Sequence, residues 1–242
     1  MKFASKTDIG RQRRSNQDSY AAGELPMGVA WAVVCDGMGG ANGGSIASTL
    51  AVKTISEQIS ASWRQGMGSN SICNLLKSAV AAANINVFDM SKSVESLSGM
   101  GTTVVATLIS GNIAHIVHAG DSRAYKISHN KIVQVTRDHS IVQTMIENGK
   151  LSEAGARVHP RKNVITRALG VDEILEVDYN EVELREGEGL MICTDGLTNF
   201  VLEEDINKTI AAYPFFEYPE KLIELANRNG GGDNITVVAI SR

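Results

Sequence analysis

The chain has 242 residues, 43% of them hydrophobic and 21% charged, with a formal net charge of −4. That length suits one large domain, and the slight acidity gives no electrostatic reason to expect nucleic acid or an anionic membrane as a partner. No apolar run approaches the ~18 residues of a spanning helix, and the N-terminal MKFASKTDIGRQRRSNQDSY lacks the apolar core of a secretion leader, so a cytoplasmic location is expected.

The first informative stretch is VVCDGMGGANGG (Val33–Gly44), an apolar run that reaches Asp36 and then a glycine-rich loop. The loop fits no nucleotide cradle. Gly44 is followed by Ser45-Ile46 rather than by Lys and Ser/Thr, and Asn42 takes the last position of a G-x-G-x-x-G reading. Ile46, Leu50, Ile55, Ile59 and Trp63 recur at helical spacing and predict a helix over Ser45–Trp63. A second helix is predicted over Asn70–Ser93.

The period then changes. Thr102–Ile109, Asn112–Ala119, Arg123–Ser128 and Lys131–Val135 are short, β-branched and separated by turn residues, which predicts an antiparallel meander. DHSIVQTMIENG reads as a helix with Asp138 as N-cap and Gly149 as the stop. Leu151–Asn163 is mixed in character and reads as a surface excursion. Strands follow at ILEVDYNEVEL and GLMICT, then helices at Glu203–Ala212 and Pro219–Asn229, then a closing strand, NITVVAIS. Helices grouped together and strands grouped in meanders make the fold class α+β, with helices covering antiparallel sheets.

Four aspartates recur where an apolar strand meets a glycine: Asp36-Gly37, Gly120-Asp121, Asp195-Gly196 and Gly232-Asp233. Any single Asp-Gly is ordinary hairpin chemistry. Four carboxylates gathered at strand ends, with no His or Cys among them, are hard oxygen donors suited to Mg²⁺ or Mn²⁺. His115 and His118 stand three apart on a strand, so they face opposite sides and read as sheet residues. Cys35, Cys73 and Cys193 follow no zinc spacing and read as plain thiols, the first and last of them buried.

RRSNQD, CDGMGG, GMGTTVV, GDSRAY, TRDHS, ITRALG, CTDGLTN and GGDNITVV occur in this order. Together they resemble the bacterial branch of the metal-dependent serine/threonine protein phosphatases, type 2C (the PPM family), over essentially the whole chain. The resemblance implies a four-layer α-β-β-α sandwich of two antiparallel sheets flanked by helices. It also implies a single phosphatase domain over 1–242 with a small flap subdomain at about 142–170. Carried onto this chain, it implies that Asp36 bridges two ions, that Gly37 lends its carbonyl, and that Asp195 and Asp233 complete the first ion's shell. Asp121 with Asp195 matches the ligands of a third, weaker ion. Arg13 matches the arginine that grips the substrate phosphate, and Asp18 an acidic residue that orders the attacking water and acts as base. The implied reaction is direct attack of a metal-bridging water on phosphoserine or phosphothreonine.

Implied partners are phosphorylated cytoplasmic proteins, a serine/threonine protein kinase and its substrates among them, with no nucleic acid, no membrane and a monomeric state. Three positions depart from the family pattern. Ala41 stands where many relatives hold a histidine, Gln17 replaces an acidic residue before Asp18, and Gly44-Ser45 replaces a glutamate-bearing helix start. Ala41 and Gln17 raise the alternative of a weak or silent metal-binding regulator of the same fold.

Overall fold

A computed structural model describes residues 1–40, 43–129 and 131–242. In chain order it contains β1 (Lys2–Asp8), β2 (Asp18–Leu25), β3 (Val29–Met38), α1 (Gly43–Ser62) and α2 (Ser69–Ser93). These are followed by β4 (Gly101–Thr102), β5 (Val104–Ser110), β6 (Ile113–Ala119), β7 (Arg123–Ser128) and β8 (Lys131–Gln134). The short helices α3 (Ile141–Glu147) and α4 (Glu153–Arg157) precede β9 (Asp178–Glu183) and β10 (Gly189–Cys193). Helices α5 (Asp195–Thr198), α6 (Glu203–Ala212) and α7 (Tyr218–Arg228) lead to the closing strand β11 (Ile235–Ser241).

The strands form two sheets, ordered β1-β11-β10-β7-β8 and β2-β3-β5-β6-β9, with β4 paired to β3. Every pairing is antiparallel. Alternation along the strands sorts the apolar residues into three layers. Ala30, Ala32 and Val34 of β3 meet Ile192 of β10 and Val238 and Ile240 of β11 between the sheets. Val33 and Cys35 point the other way, against α1 and α2. On the far side, Met191 and Val237 pack against α6 and α7 through Ile206, Ile210 and Leu222. This is the expected four-layer α-β-β-α sandwich.

The predicted meander differs in one respect. β5 and β6 are neighbours in one sheet, whereas β7 and β8 are neighbours in the other. The chain crosses between sheets at Gly120–Ser122, and Gly120 sits at φ +107, where L side chains are strained. The predicted cap of α3 is also corrected. Ser140 caps the helix by accepting from the Gln143 N–H at 3.2 Å, while Asp138 takes the guanidinium of Arg123 at 2.9 and 2.7 Å instead. Burial makes an ion pair for Arg123 the stronger demand on that carboxylate. Gly149 does end the helix, at φ +67.

Residues 142–170 add no strand to either sheet. Their two ends are pinned by isolated bridges, Ser140 to Ile165 and Leu169 to Thr102. Among the described residues no helix is long and apolar enough to cross a membrane. Ile55 of α1 is fully buried against the β3 sheet, away from any strand end. Ile55→Ala is expected to cost about 2–5 kcal/mol in denaturant unfolding while leaving activity per folded molecule unchanged.

Candidate active site

Asp36 lies within β3, opposite Asp18 in the register of β2. Its N–H donates to the Thr103 hydroxyl at 3.0 Å, and its carbonyl accepts from the Thr103 N–H and the Thr102 hydroxyl. The backbone is thereby locked and only the carboxylate is left to act. Gly37 follows in a crowded place. A Cβ there would lie 2.0 Å from the Gly44 carbonyl oxygen, so no other residue fits between β3 and the start of α1. The Gly37 N–H donates to the Gln17 carbonyl, which also accepts from the Ser48 hydroxyl.

The second sheet supplies the facing groups. Asp195 opens α5 directly after β10, and its Oδ2 accepts from the Asn199 amide at 2.8 Å. Asp233 stands two residues before β11, with Oδ1 on the Asn234 N–H and Oδ2 on Arg13 Nη2 at 2.7 Å. Asp121 ends the turn after β6. Arg13, Asp36, Gly37, Asp121, Asp195 and Asp233 all line one cleft of about 220 Å³ between the sheet ends. A neighbouring cavity of about 350 Å³ shares Asp121 and Asp195 and runs beneath α3 and α4, where Arg157 and Lys162 line it.

The electrostatics are one-sided. Burial, followed by the charges of Asp18, Asp195, Asp121 and Asp233, holds the Asp36 carboxyl well above the ordinary range. Burial and Asp195 do the same to Asp121. Burial and Asp233 push Asp195 up to about 6, against partial relief from Asp36 and Arg13. Two buried carboxylate oxygens, Asp195 Oδ1 and Asp18 Oδ1, have no hydrogen-bond partner among the described residues. Unpartnered anionic oxygens beside mutually repelling carboxylates form a donor set that a hard divalent cation satisfies. The aspartates are spread around the cleft rather than closed on one point. The tight three-donor group among the described residues is His118, His139 and Asp178, elsewhere in the molecule.

Asp18 is not an open wall residue of the cleft. It is buried, and its Oδ2 accepts from the hydroxyls of Thr194 at 2.9 Å and Thr236 at 2.7 Å. Burial raises it to about 7, and the two hydroxyls moderate that rise. Arg13 is half exposed, and its pairing with Asp233 raises its already high pKa. The departure at Ala41 lies outside the described residues. Gln17 uses its side chain to donate to the Gly40 carbonyl at 3.3 Å. Cys35 and Cys193 are buried free thiols whose pKa burial raises, which removes them from nucleophilic chemistry.

Sequence reasoning missed Asn234, which ties the site together. Its amide donates to the carbonyls of Ile9 and Ser15, and its Oδ1 accepts from the Gln17 N–H, fixing the loop that carries Arg13. It also missed Thr103, Thr194 and Thr236. Their signal was local, since Thr194 directly precedes Asp195 and Thr103 sits beside the strand that pairs with β3.

The layered sandwich thus brings carboxylates and one arginine, among the described residues, to a shared edge of its two sheets. The family profile described as Protein phosphatase 2C matches residues 10–234. The serine/threonine phosphatase stp of Listeria welshimeri is 36% identical over 98% of this chain and 94% of its own. The Streptococcus agalactiae serine/threonine phosphatase structure superposes with a TM-score of 0.92 at 32% identity, covering 100% of this chain and 99% of that one. The catalytic domain of serine threonine protein phosphatase PstP in complex with two manganese ions gives 0.86 at 33% identity, over 98% and 96% of the two chains. The chain belongs to the protein phosphatase 2C family. It is a serine/threonine protein phosphatase.

If like charges strain this cleft, removing one relieves it. Asp36→Asn is expected to raise the melting temperature of the metal-free protein at neutral pH, each kcal/mol released being worth about 2–4 °C. Scanning calorimetry in chelator reads it directly, and an unchanged or lower melting temperature contradicts it.

Proposed function

We propose that this chain hydrolyses phosphoserine and phosphothreonine on cytoplasmic proteins, a serine/threonine protein kinase and its substrates among them, at the cleft lined by Asp36. The carrying observation is the convergence of Asp36, Asp121, Asp195, Asp233 and Arg13 on one cleft. Asp36, with the Gly37 carbonyl, Asp195 and Asp233, would hold two ions, Mn²⁺ or Mg²⁺, and Asp121 with Asp195 a third, weaker one. When bound, the ions acidify an attacking water and neutralise charge on the phosphoryl oxygens. The PstP catalytic domain, 33% identical to this chain, is solved with two manganese ions, which supports the two-ion part of this reading.

The chain's own groups do the rest. Arg13 engages Asp233 through Nη2 alone among the described residues, so the remainder of its fork is free to take phosphate oxygens. Its half-exposed place at the rim lets a protein-borne phosphate reach it. Asp18, held by two threonine hydroxyls behind Asp36, keeps one oxygen without a partner to accept a proton or orient water. The alternative of a silent regulator draws on Ala41 and Gln17. Against it stands Arg13 beside the full carboxylate set, since metal binding alone does not call for a half-exposed guanidinium in the same cleft.

The decisive comparison is wild type against Asp36→Asn on a phosphothreonine peptide with saturating Mn²⁺. The variant is expected to lose at least ~10²-fold in kcat/KM, the scale of losing one transition-state stabiliser. Mn²⁺ is also expected to raise the melting temperature of the wild type and not that of the variant. Equal activity in the two proteins, or none in either, overturns the reading.

We read 142–170 as a flap over the substrate path. The larger cavity beneath it carries Lys162, and Arg157 ties α4 to the α5 segment through the Thr198 carbonyl at 3.2 Å. A peptide whose phosphate sits at Arg13 would extend into that cavity, whereas a small aryl phosphate would not. Lys162→Ala is therefore expected to change kcat/KM for phosphopeptides several-fold and to leave aryl phosphate hydrolysis unchanged. Equal effects on both substrates count against the flap's role.

A further inference from the structure

The densest group of metal-type donors lies outside the cleft. His118, His139 and Asp178 bring ligand atoms within 4.8 Å of one another. The protein places its own cation there. Arg167 donates to Asp178 Oδ1 at 2.8 Å and lies 3.1 Å from His139 Nε2, filling the position an ion would take. The four residues come from distant parts of the chain. His118 is the penultimate residue of β6, His139 stands at the start of the 142–170 excursion, Arg167 is near its end, and Asp178 is the β9 residue paired with His118.

The hydrogen bonds define what His139 does. Its Nδ1 accepts the Gly120 N–H at 3.2 Å, and its own backbone N–H donates to the Gly120 carbonyl at 2.9 Å. The Nε2 edge of the ring lies between two groups, Asp178 Oδ2 at 3.3 Å and Arg167 Nη1 at 3.1 Å, so both ring nitrogens are held in place. Burial keeps the ring neutral by lowering its pKa. Asp178 and Arg167 therefore hold the Nε2 edge of the ring, Arg167 anchors Asp178, and His118 stacks on the ring with centroids 4.7 Å apart and planes 6° from parallel.

Gly120 immediately precedes Asp121. A Cβ on it would lie 2.6 Å from Thr103 Cγ2, so the turn is packed on β5's threshold and grasped on its other side by His139. The Thr103 hydroxyl contacts Ser122 at 2.8 Å and accepts from the Asp36 N–H. His139 is thus the outer jaw of a clamp whose inner jaw also holds Asp36.

We infer that His139 is the positioning residue for Asp121, with Asp178 and Arg167 fixing its ring so that the Gly120-Asp121 turn presents its carboxylate to the third cation. The inference rests on the reading of Asp121 as a ligand. It assigns a role to His139 of TRDHS and to Arg167 of ITRALG.

Calorimetric titration of Mn²⁺ into metal-free wild type, Asp121→Asn, His139→Phe, His139→Asn and His139→Gln tests it. Phe keeps a ring for the stack and loses the acceptor, Asn returns an acceptor near Nδ1, and Gln places one near Nε2. Asp121→Asn is expected to remove the weakest binding event. His139→Phe and His139→Gln should weaken that same event about 10–100-fold and leave the tighter ones unchanged, with His139→Asn recovering most of the loss. In metal-free protein the Gly120 amide should exchange faster in His139→Phe and His139→Gln than in wild type or His139→Asn. The contrast between Asn and Gln decides the matter even where His139→Phe fails to fold. Wild-type binding in Phe and Gln, or an Asn variant no better than Gln, overturns the positioning role alone. A titration that Asp121→Asn leaves unaltered overturns the ligand reading of Asp121 and this inference with it.

Discussion

Mutual repulsion among carboxylates in one partly buried cleft is the constraint to which the rest of this structure answers. Two unit charges ~6 Å apart repel by roughly 3 kcal/mol at an effective dielectric of ~20. Around Asp36 such repulsion adds to the larger effect of burial, since its carboxyl feels Asp18, Asp195, Asp121 and Asp233 together. A site of this kind has to be built by a scaffold stable enough to absorb the cost. Three stacked apolar layers, above, between and below the two sheets, are that scaffold. The aspartates sit where the layers end, at an edge where cations and phosphate can enter but side chains cannot relax apart.

Rigidity at that edge comes from neutral groups. Threonine hydroxyls hold Asp18, the Thr103 hydroxyl holds the backbone of Asp36, and the Asn234 amide holds the loop that carries Arg13. Neutral donors are the fitting choice, because an arginine buried against the carboxylates would neutralise the cluster and, on the proposed function, compete with divalent ions for it. Arg13, the one cation in the cleft's lining among the described residues, is half exposed and at the rim. On the proposed function, that place lets it exchange a carboxylate for a phosphate at small desolvation cost.

How much of this is legible in the sequence depends on the length scale of the signal. Long periodic segments such as α1 and α2, and apolar strands such as β10 and β11, announce themselves because one buried face repeats many times. β1 alternates poorly, since it is an edge strand with little to bury, and periodicity does not separate it from loop. The meander over Thr102–Val135 reads as continuous because each hairpin is locally regular. That its halves belong to different sheets is decided at Gly120, by packing against Thr103 that no local pattern encodes. Asp138 looks like a helix cap for the same reason, until buried Arg123 claims it. The aspartates were legible as a set, because strand-Asp-Gly recurs. Asn234 and the threonines were not, because a polar residue beside a strand has many uses and only the fold selects among them.

The glycines beside the aspartates also change meaning in three dimensions. In sequence, DGMGGANGG reads only as a glycine-rich loop that fits no nucleotide cradle. In the structure, Gly37 is internal to β3, and its missing side chain lets the first turn of α1 approach within contact distance of the strand. That approach brings the Gln17 carbonyl, the Gly37 N–H and the Ser48 hydroxyl into one hydrogen-bonded cluster directly behind Asp36. Gly120 does the corresponding work on the other side, letting the turn before Asp121 press on Thr103. At both positions small size is used to bring backbone close to backbone, and each close approach fixes one carboxylate against the repulsion of the others. The motif pairs of Asp and Gly are therefore a single device, in which the glycine makes the immobility that the aspartate needs.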